Sequence, residues 1–129
     1  MSAFDLAVIG AGPAGCAAAL AAARAGLSVA VFEPQGLPDK PCGEGILPSG
    51  VAALRELGLE GLLARAHPLT HIRYVLASGR EVEIALPEPG CALERPALSQ
   101  ALVRALARES RVRSFPRRVS SQRSAPSVA

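Results

Sequence analysis

Aromatic residues and cysteine are scarce in this chain of 129 residues. It holds three Phe, one Tyr, no Trp and three cysteines, while half of its residues are apolar. Cys16, Cys42 and Cys91 are too few and too scattered for a disulfide framework or a CxxC metal site, so no metal is expected. Free thiols are typical of a reducing compartment, and the sequence therefore predicts a cytoplasmic protein. The length suffices for one modest domain with a core of Ala, Leu and Val.

Acidic residues are absent from the end of the chain. Through Ser110 there are 9 basic and 11 acidic residues, whereas the last 19 residues hold five arginines and no acid. The net charge of +3 therefore comes from the tail, and the body has no basic footprint for nucleic acid. Residues 113–129 are rich in Ser, Arg and Pro without periodicity, which predicts a disordered tail after a body of residues 1–112.

One long uncharged run, Leu6 to Ala23, raises the question of a membrane span or signal peptide. Asp5 precedes it instead of a basic cluster, and three glycines and a proline interrupt it. The buried strand and helix of a parallel sheet explain such apolarity better. We expect neither a targeting segment nor an integral membrane segment.

The same run contains a glycine-rich turn between a predicted strand, Phe4 to Ile9, and a predicted helix, Pro13 to Ala25. A GxGxxG pattern in this context is typical of a dinucleotide-binding βαβ unit. Gly10 would allow the tight turn, Gly12 the close approach of a pyrophosphate, and Gly15 the close packing of helix on strand. The phosphates would lie at the helix N-terminus, where Pro13 costs no hydrogen bond.

An acid follows the next predicted strand, Ser28 to Phe32. The carboxylate of Glu33 would accept hydrogen bonds from both ribose hydroxyls of an adenosine, and it would repel a 2′-phosphate. NADP is therefore disfavoured. An ordinary βαβ unit without a nucleotide and an NAD-binding domain remain alternatives.

The remaining pattern predicts an α/β fold. Pro48 to Leu57 and Pro96 to Glu109 have helical periodicity. Ile72 to Ala77 and Glu81 to Leu86 alternate around a tight connection and predict a β-hairpin. The segments 34–45 and 87–90 are predicted loops, His67-Pro68 a stop signal, and Cys91 to Leu93 a brief strand.

A family resemblance rests on these residues. The glycine motif with Ala19, Gly26 and Glu33 resembles the amino-terminal fingerprint of FAD-binding flavoproteins. The segment from Lys40 to Pro48 (KPCGEGILP) resembles the geranylgeranyl-reductase-like branch of FAD-dependent oxidoreductases. That segment is also similar to one in flavin-dependent halogenases, and both groups are relatives of the aromatic-ring hydroxylase type of flavoprotein monooxygenase. The absence of Trp makes the halogenase the weakest of these options, since its tryptophan-rich motif is impossible here.

The resemblance implies FAD as the cofactor and a Rossmann-like FAD-binding βαβ unit with a β-hairpin insertion in an incomplete parallel sheet. It implies reduction of an unsaturated isoprenoid or oxygenation of an aromatic, both small-molecule substrates, and it places Cys42 near the flavin or the substrate. Arg95 would pair with the pyrophosphate, while we interpret Glu44 as a solvated loop acid. The candidate cofactor-binding residues are Gly10, Gly12, Pro13, Ala14, Gly15, Glu33, Pro34, Cys42, Gly43 and Arg95.

The family's later Gly-Asp motif has no counterpart, because no Gly-Asp dipeptide occurs in the chain. We therefore expect the amino-terminal portion of a larger flavoprotein, truncated or frameshifted. A catalytically silent nucleotide-binding module, or a non-functional fragment, is the alternative. The sequence assigns no catalytic residue.

Overall fold

The computed structural model describes residues 3–34 and 40–120. The chain divides into two compact units, and it returns from the second unit to the first after Arg104. The first unit comprises Met1–Pro38 and Ala105–Ala129, and the second comprises Asp39–Arg104. Each unit has its own sheet.

The first unit contains a three-stranded parallel sheet. Strand β1 (Leu6–Ile9) leads into helix α1 (Pro13–Arg24), and β2 (Val29–Phe32) returns beside β1. Strand β6 (Val112–Phe115) pairs with the other edge of β2, so the strand order is β1-β2-β6. All three strands run in parallel, as the βαβ pattern predicts for β1 and β2.

Small aliphatic side chains form the core of this unit. Val29 and Val31 of the central strand are almost fully buried, as are Ala19 and Leu20 of α1. Alanines on α1 allow the helix to approach the sheet closely, and Gly26 with φ +91° ends the helix. The scarcity of aromatic residues is thus matched by a core of Ala, Val and Leu.

The second unit contains an antiparallel sheet in the order β3-β5-β4. Its short strand β3 (Gly45–Ile46) precedes helix α2 (Pro48–Glu56) and a 3₁₀ helix (Glu60–Arg65). The long strands β4 (His67–Val75) and β5 (Glu81–Ala92) form the hairpin. Helix α3 (Arg95–Arg108) begins in this unit.

The hairpin is longer than the sequence predicts. His67-Pro68 does not stop an element but starts β4, and residues 87–90 and 91–93 are not a loop and a separate strand, because β5 runs to Ala92. The pairing passes from Leu69–Gly90 to His71–Ala85, so residues 86–89 of β5, which include Pro87 and Pro89, form a bulge opposite Thr70 of β4. Proline is tolerated at such bulges because it has no N–H to donate to the ladder.

The prediction of a disordered tail from residue 113 onward is wrong for its first residues. Val112–Phe115 forms β6, with Val112 beside Val29 and Phe115 beside Phe32. The two phenyl rings of Phe32 and Phe115 stack with centroids 5.2 Å apart. The boundary predicted at residue 112 therefore cuts a strand, and residues 121–129 lie outside the described part of the chain.

The predicted fold class is confirmed: an α/β chain with a parallel sheet of three strands and a β-hairpin in a second, antiparallel sheet. Among the residues that the structure describes, no helix is both long enough and apolar enough to span a membrane. Asp39 and residues 35–38 of the predicted loop also lie outside the described ranges.

Candidate nucleotide-binding site

The turn between β1 and α1 lies at the carboxyl end of the parallel sheet. Gly10 has φ +99°, in the region that favours glycine. Its N–H donates to the carbonyl oxygen of Phe32 at 2.8 Å, which joins the end of β1 to the end of β2. The turn and the residue after β2 therefore share one edge of the sheet, where open α/β sheets bind their ligands.

Gly15 packs against this turn so closely that no side chain fits. A Cβ at this position would collide with the carbonyl oxygen of Gly10 and would lie 3.3 Å from Cγ1 of Val8. The predicted role of Gly15 in close packing of helix on strand is confirmed.

The N-terminus of α1 is open. Gly12 is the N-cap residue, and a Cβ built there meets nothing within 4 Å. Within the described part of the chain no side chain caps the helix, and Pro13 occupies its first position as predicted. Ala14 is exposed. The first N–H groups and the positive end of the helix dipole can thus receive a phosphate.

Glu33 is tied to the same turn. Its Oε2 accepts a hydrogen bond of 3.0 Å from the N–H of Ala11, and its own N–H donates to the carbonyl oxygen of Phe115 at 3.1 Å. The half-buried carboxylate is therefore held at the end of β2, beside the glycine turn. Pro34 follows it and is exposed. A carboxylate in this place can accept hydrogen bonds from hydroxyl groups of a ligand.

Cys16 is a packing residue in this region. It is buried, and its thiol donates to the carbonyl oxygen of Ala11 at 3.1 Å. Burial, followed by the negative charge of Glu33, raises the pKa of this thiol from 9.0 to about 11. Cys16 is therefore protonated and unreactive at neutral pH.

Three candidate residues belong to the second unit. Cys42 is exposed, and its Sγ accepts the N–H of Glu44 at 3.4 Å. A Cβ at Gly43 would meet nothing within 4 Å. Arg95 begins α3. The structure thus groups Cys42, Gly43 and Arg95 in one unit and the residues from Gly10 to Pro34 in the other, and the role of each as an FAD contact stays a prediction.

Glu44 is the residue whose place the sequence did not reveal. It is not a free loop acid: its Oε1 accepts the backbone N–H of Arg95 at 3.1 Å. It also has φ +56°, which is uncommon for a residue other than glycine. One feature of the sequence indicates such a contact. Helix α3 starts at Arg95-Pro96, and no Ser, Thr, Asp or Asn precedes it as a local N-cap, so its first N–H groups need an acceptor from another segment.

The first unit also carries a family match. Residues 5–38 match the model of the family described as FAD dependent oxidoreductase. By sequence, the chain is related to FAD-dependent oxidoreductases. The matched segment contains the glycine turn and Glu33, on which the resemblance to FAD-binding flavoproteins rests.

Relatives extend this relation into the second unit. The menaquinone reductase of Mycobacterium tuberculosis is 48% identical over an alignment of 90 residues, which covers 66% of this chain and 21% of that protein. Digeranylgeranylglycerophospholipid reductase 2 of Methanopyrus kandleri is 38% identical over 104 residues, covering 78% of this chain and 25% of that protein. The predicted resemblance to the geranylgeranyl-reductase-like branch of these oxidoreductases is confirmed.

A solved structure shows the same fold. The p-nitrophenol 4-monooxygenase PnpA of Pseudomonas putida superposes with a TM-score of 0.71 at 24% identity, covering 85% of this chain and 31% of that protein. The chain thus spans about a fifth to a quarter of the length of the curated relatives it matches.

Proposed function

We propose that this chain binds FAD and forms the nucleotide-binding region of a flavin-dependent oxidoreductase. The observation that carries the proposal is the joint placement of the open α1 N-terminus at Gly12 and the carboxylate of Glu33 at one edge of the sheet. The first fits a pyrophosphate and the second fits ribose hydroxyls. The family match over residues 5–38 supports FAD over other nucleotides.

The residues present fit the adenosine and pyrophosphate half of FAD. The N–H groups of the first turn of α1 would donate to phosphate oxygens, and Gly12 would leave room for the phosphates to reach them. Glu33 would hold the ribose while Ala11 orients its carboxylate. FAD itself supplies hydride or electron transfer when bound, and the protein supplies position and electrostatics.

For the substrate we propose a small molecule with an unsaturated isoprenoid chain. Both relatives are named as reductases, one of menaquinone and one of a digeranylgeranyl lipid, and both substrates carry isoprenoid chains. A monooxygenase is the second candidate reaction, supported by the fold shared with the p-nitrophenol 4-monooxygenase. Three free cysteines fit a reducing compartment, so we propose that the protein acts in the cytoplasm.

Titration of the full chain with FAD tests the proposal. Gly12→Ala would place a methyl group where the pyrophosphate approaches, although the protein itself leaves that space open. We expect FAD affinity to fall at least about tenfold, which corresponds to about 1.4 kcal/mol. Gly61→Ala is the matched control, since a Cβ there also meets nothing within 4 Å and the residue lies in the other unit.

The comparison of ligands separates the alternatives. FAD bound to the folded state should raise the melting temperature of the wild-type chain, with NAD giving a smaller rise. A larger rise with NAD would favour an NAD-binding domain. A folded chain that takes up neither ligand would be an ordinary βαβ unit without a nucleotide, or a non-functional fragment, and the proposal would then be rejected.

A further inference from the structure

The loop before β3 is attached to the start of α3 by a single residue. The carbonyl oxygen of Glu44 accepts the N–H of Leu93 at 2.9 Å, which continues the β3–β5 ladder beyond the pair Gly45 and Ala92. Its side chain reaches two residues further, where Oε1 accepts the N–H of Arg95. Both halves of this residue therefore join the loop to residues about fifty positions later in the chain.

The backbone of Glu44 adopts a conformation that its residue type disfavours. With φ +56° it lies in the left-handed region, where a Cβ is unfavourable and where glycine is the usual residue. Glycine fits such a conformation and occupies both neighbouring positions, 43 and 45, but the residue that adopts the conformation is Glu44. A side chain kept under strain indicates that its contacts compensate for the strain, and such outliers cluster at functional sites.

The conformation of Glu44 also directs its own N–H. That N–H donates to Sγ of Cys42 at 3.4 Å, so the thiol receives a backbone hydrogen bond within a tight turn. Lys40, Pro41, Cys42 and Glu44 line one open pocket on the surface of this unit. The turn thus presents an exposed sulfur in a fixed orientation at a pocket.

We propose that Glu44 is a positioning residue, which fixes the Cys42–Glu44 turn against the first residue of α3 and so sets the place of both the Cys42 thiol and Arg95. Cys42, Gly43 and Arg95 are candidate cofactor contacts only if the chain binds FAD, so the functional consequence rests on the proposed function. The attachment itself does not depend on FAD.

Three variants of the full chain separate the side chain from the backbone. Glu44→Ala removes the carboxylate and keeps the strain. Glu44→Gly removes both, and Glu44→Gln keeps an oxygen acceptor of the same reach. If the carboxylate positions the turn, Ala and Gly should behave alike and Gln should resemble the wild type. If backbone strain alone mattered, Glu44→Gly would protect the Arg95 amide and bind FAD at least as well as the wild type.

The first readouts need no cofactor. Exchange of the Arg95 amide hydrogen, followed by NMR at fixed pH, should become at least about fivefold faster in Glu44→Ala and Glu44→Gly, because the N–H loses its acceptor. The rate at which a disulfide reagent modifies Cys42 should change at least about threefold, because the turn no longer holds Sγ in one orientation beside the backbone N–H of residue 44. Cys42 can be followed selectively, since Cys16 and Cys91 are buried. Unchanged exchange and unchanged thiol rates in all three variants would overturn the proposal.

The FAD readout follows. Glu44→Ala and Glu44→Gly should weaken FAD binding at least about threefold, while Glu44→Gln should not. If the wild-type chain fails to bind FAD, the proposed function fails, while amide exchange and thiol modification still decide the role of Glu44. If FAD binds equally to all variants while exchange and thiol rates change, Glu44 positions the turn but not the cofactor, and the cofactor half of the proposal is overturned.

Discussion

Gly15 lies in helix α1 at a position where replacement by alanine should destabilise the protein, although the same replacement usually stabilises a helix. In an unhindered helix, replacing glycine by alanine stabilises a protein by about 0.5–1 kcal/mol. At Gly15 the added Cβ would collide with the Gly10 carbonyl, which is backbone and cannot rotate away. We expect Gly15→Ala to lower the free energy of unfolding by about 1–3 kcal/mol, as overpacking does.

Urea denaturation followed by circular dichroism measures this change. Gly61→Ala serves as the control, because its Cβ would enter open space in the 3₁₀ helix, and its midpoint should equal or exceed that of the wild type. Equal or greater stability of Gly15→Ala would show that the turn yields to the methyl group, and the close packing inferred for α1 would be incorrect.

The ionisation of Cys16 makes the free energy of unfolding depend on pH in the alkaline range. Its pKa is raised in the folded state to about 11, mainly by burial and then by the charge of Glu33, whereas an unfolded thiol titrates near 9.0. Between these values the unfolded chain loses a proton that the folded chain keeps. Stability is therefore fully present below pH 9 and falls as pH rises toward 11, by up to about 2–3 kcal/mol.

Cys16→Ser isolates this contribution. The serine hydroxyl can still donate to the carbonyl oxygen of Ala11, as the thiol does, but it does not titrate in this range. Melting temperatures measured from pH 8 to pH 11 should fall less steeply for the variant than for the wild type. Parallel curves would mean that Cys16 ionises with equal ease in both states.

At the scale of elements, strand β6 adds an edge and two aromatic contacts to the parallel sheet. Phe115 stacks on Phe32 and meets Phe4 edge to face, with ring centroids 5.9 Å apart. The guanidinium of Arg113 lies 5.6 Å from the Phe115 ring centroid. These rings supply specific contacts beyond the area they bury, each aromatic pair contributing about 0.5–1.5 kcal/mol.

Phe115→Ala should therefore lower the free energy of unfolding by about 1–3 kcal/mol, through the loss of two ring contacts. Ser114→Ala is the control, since Ser114 is exposed on the same strand and its replacement should change stability by less than about 0.5 kcal/mol. Equal stability of the two variants, measured by denaturant titration, would show that β6 adds nothing to the sheet.

Some of these elements could be predicted from the sequence, and others could not. The glycine turn, α1 and β2 follow from local pattern, because glycine positions and apolar periodicity dictate them one residue at a time. Strand β6 (Val-Arg-Ser-Phe) has no such pattern, and its strand conformation depends on pairing with β2 across about eighty residues. The cap from Glu44 on α3 is likewise a contact between distant segments, which no local spacing encodes.

At the scale of the whole molecule, the hairpin has an apolar face that is in contact with solvent. In the hairpin, Tyr74 lies opposite Val82 and Ile72 lies opposite Ile84, so these four side chains share one face. Tyr74, Val82 and Ile84 are each about half exposed, at 54%, 45% and 51%. The other face is polar, where Arg73 pairs with Glu83 at 2.9 Å and with Glu81 at 3.8 Å. Exposed patches of this kind promote association.

Ile84→Lys should therefore reduce binding of a hydrophobic dye and concentration-dependent self-association of the chain, by placing a charge in the middle of the apolar face. Ala85→Lys is the matched control: it adds the same charge one residue later, on the polar face, where Ala85 lies opposite His71. Dye fluorescence and sedimentation velocity measure the two effects. Because both variants carry the same net charge, a reduction confined to Ile84→Lys assigns the association to the apolar face. An equal reduction in both would assign it to net charge alone, in which case the exposed hairpin side chains would not drive association.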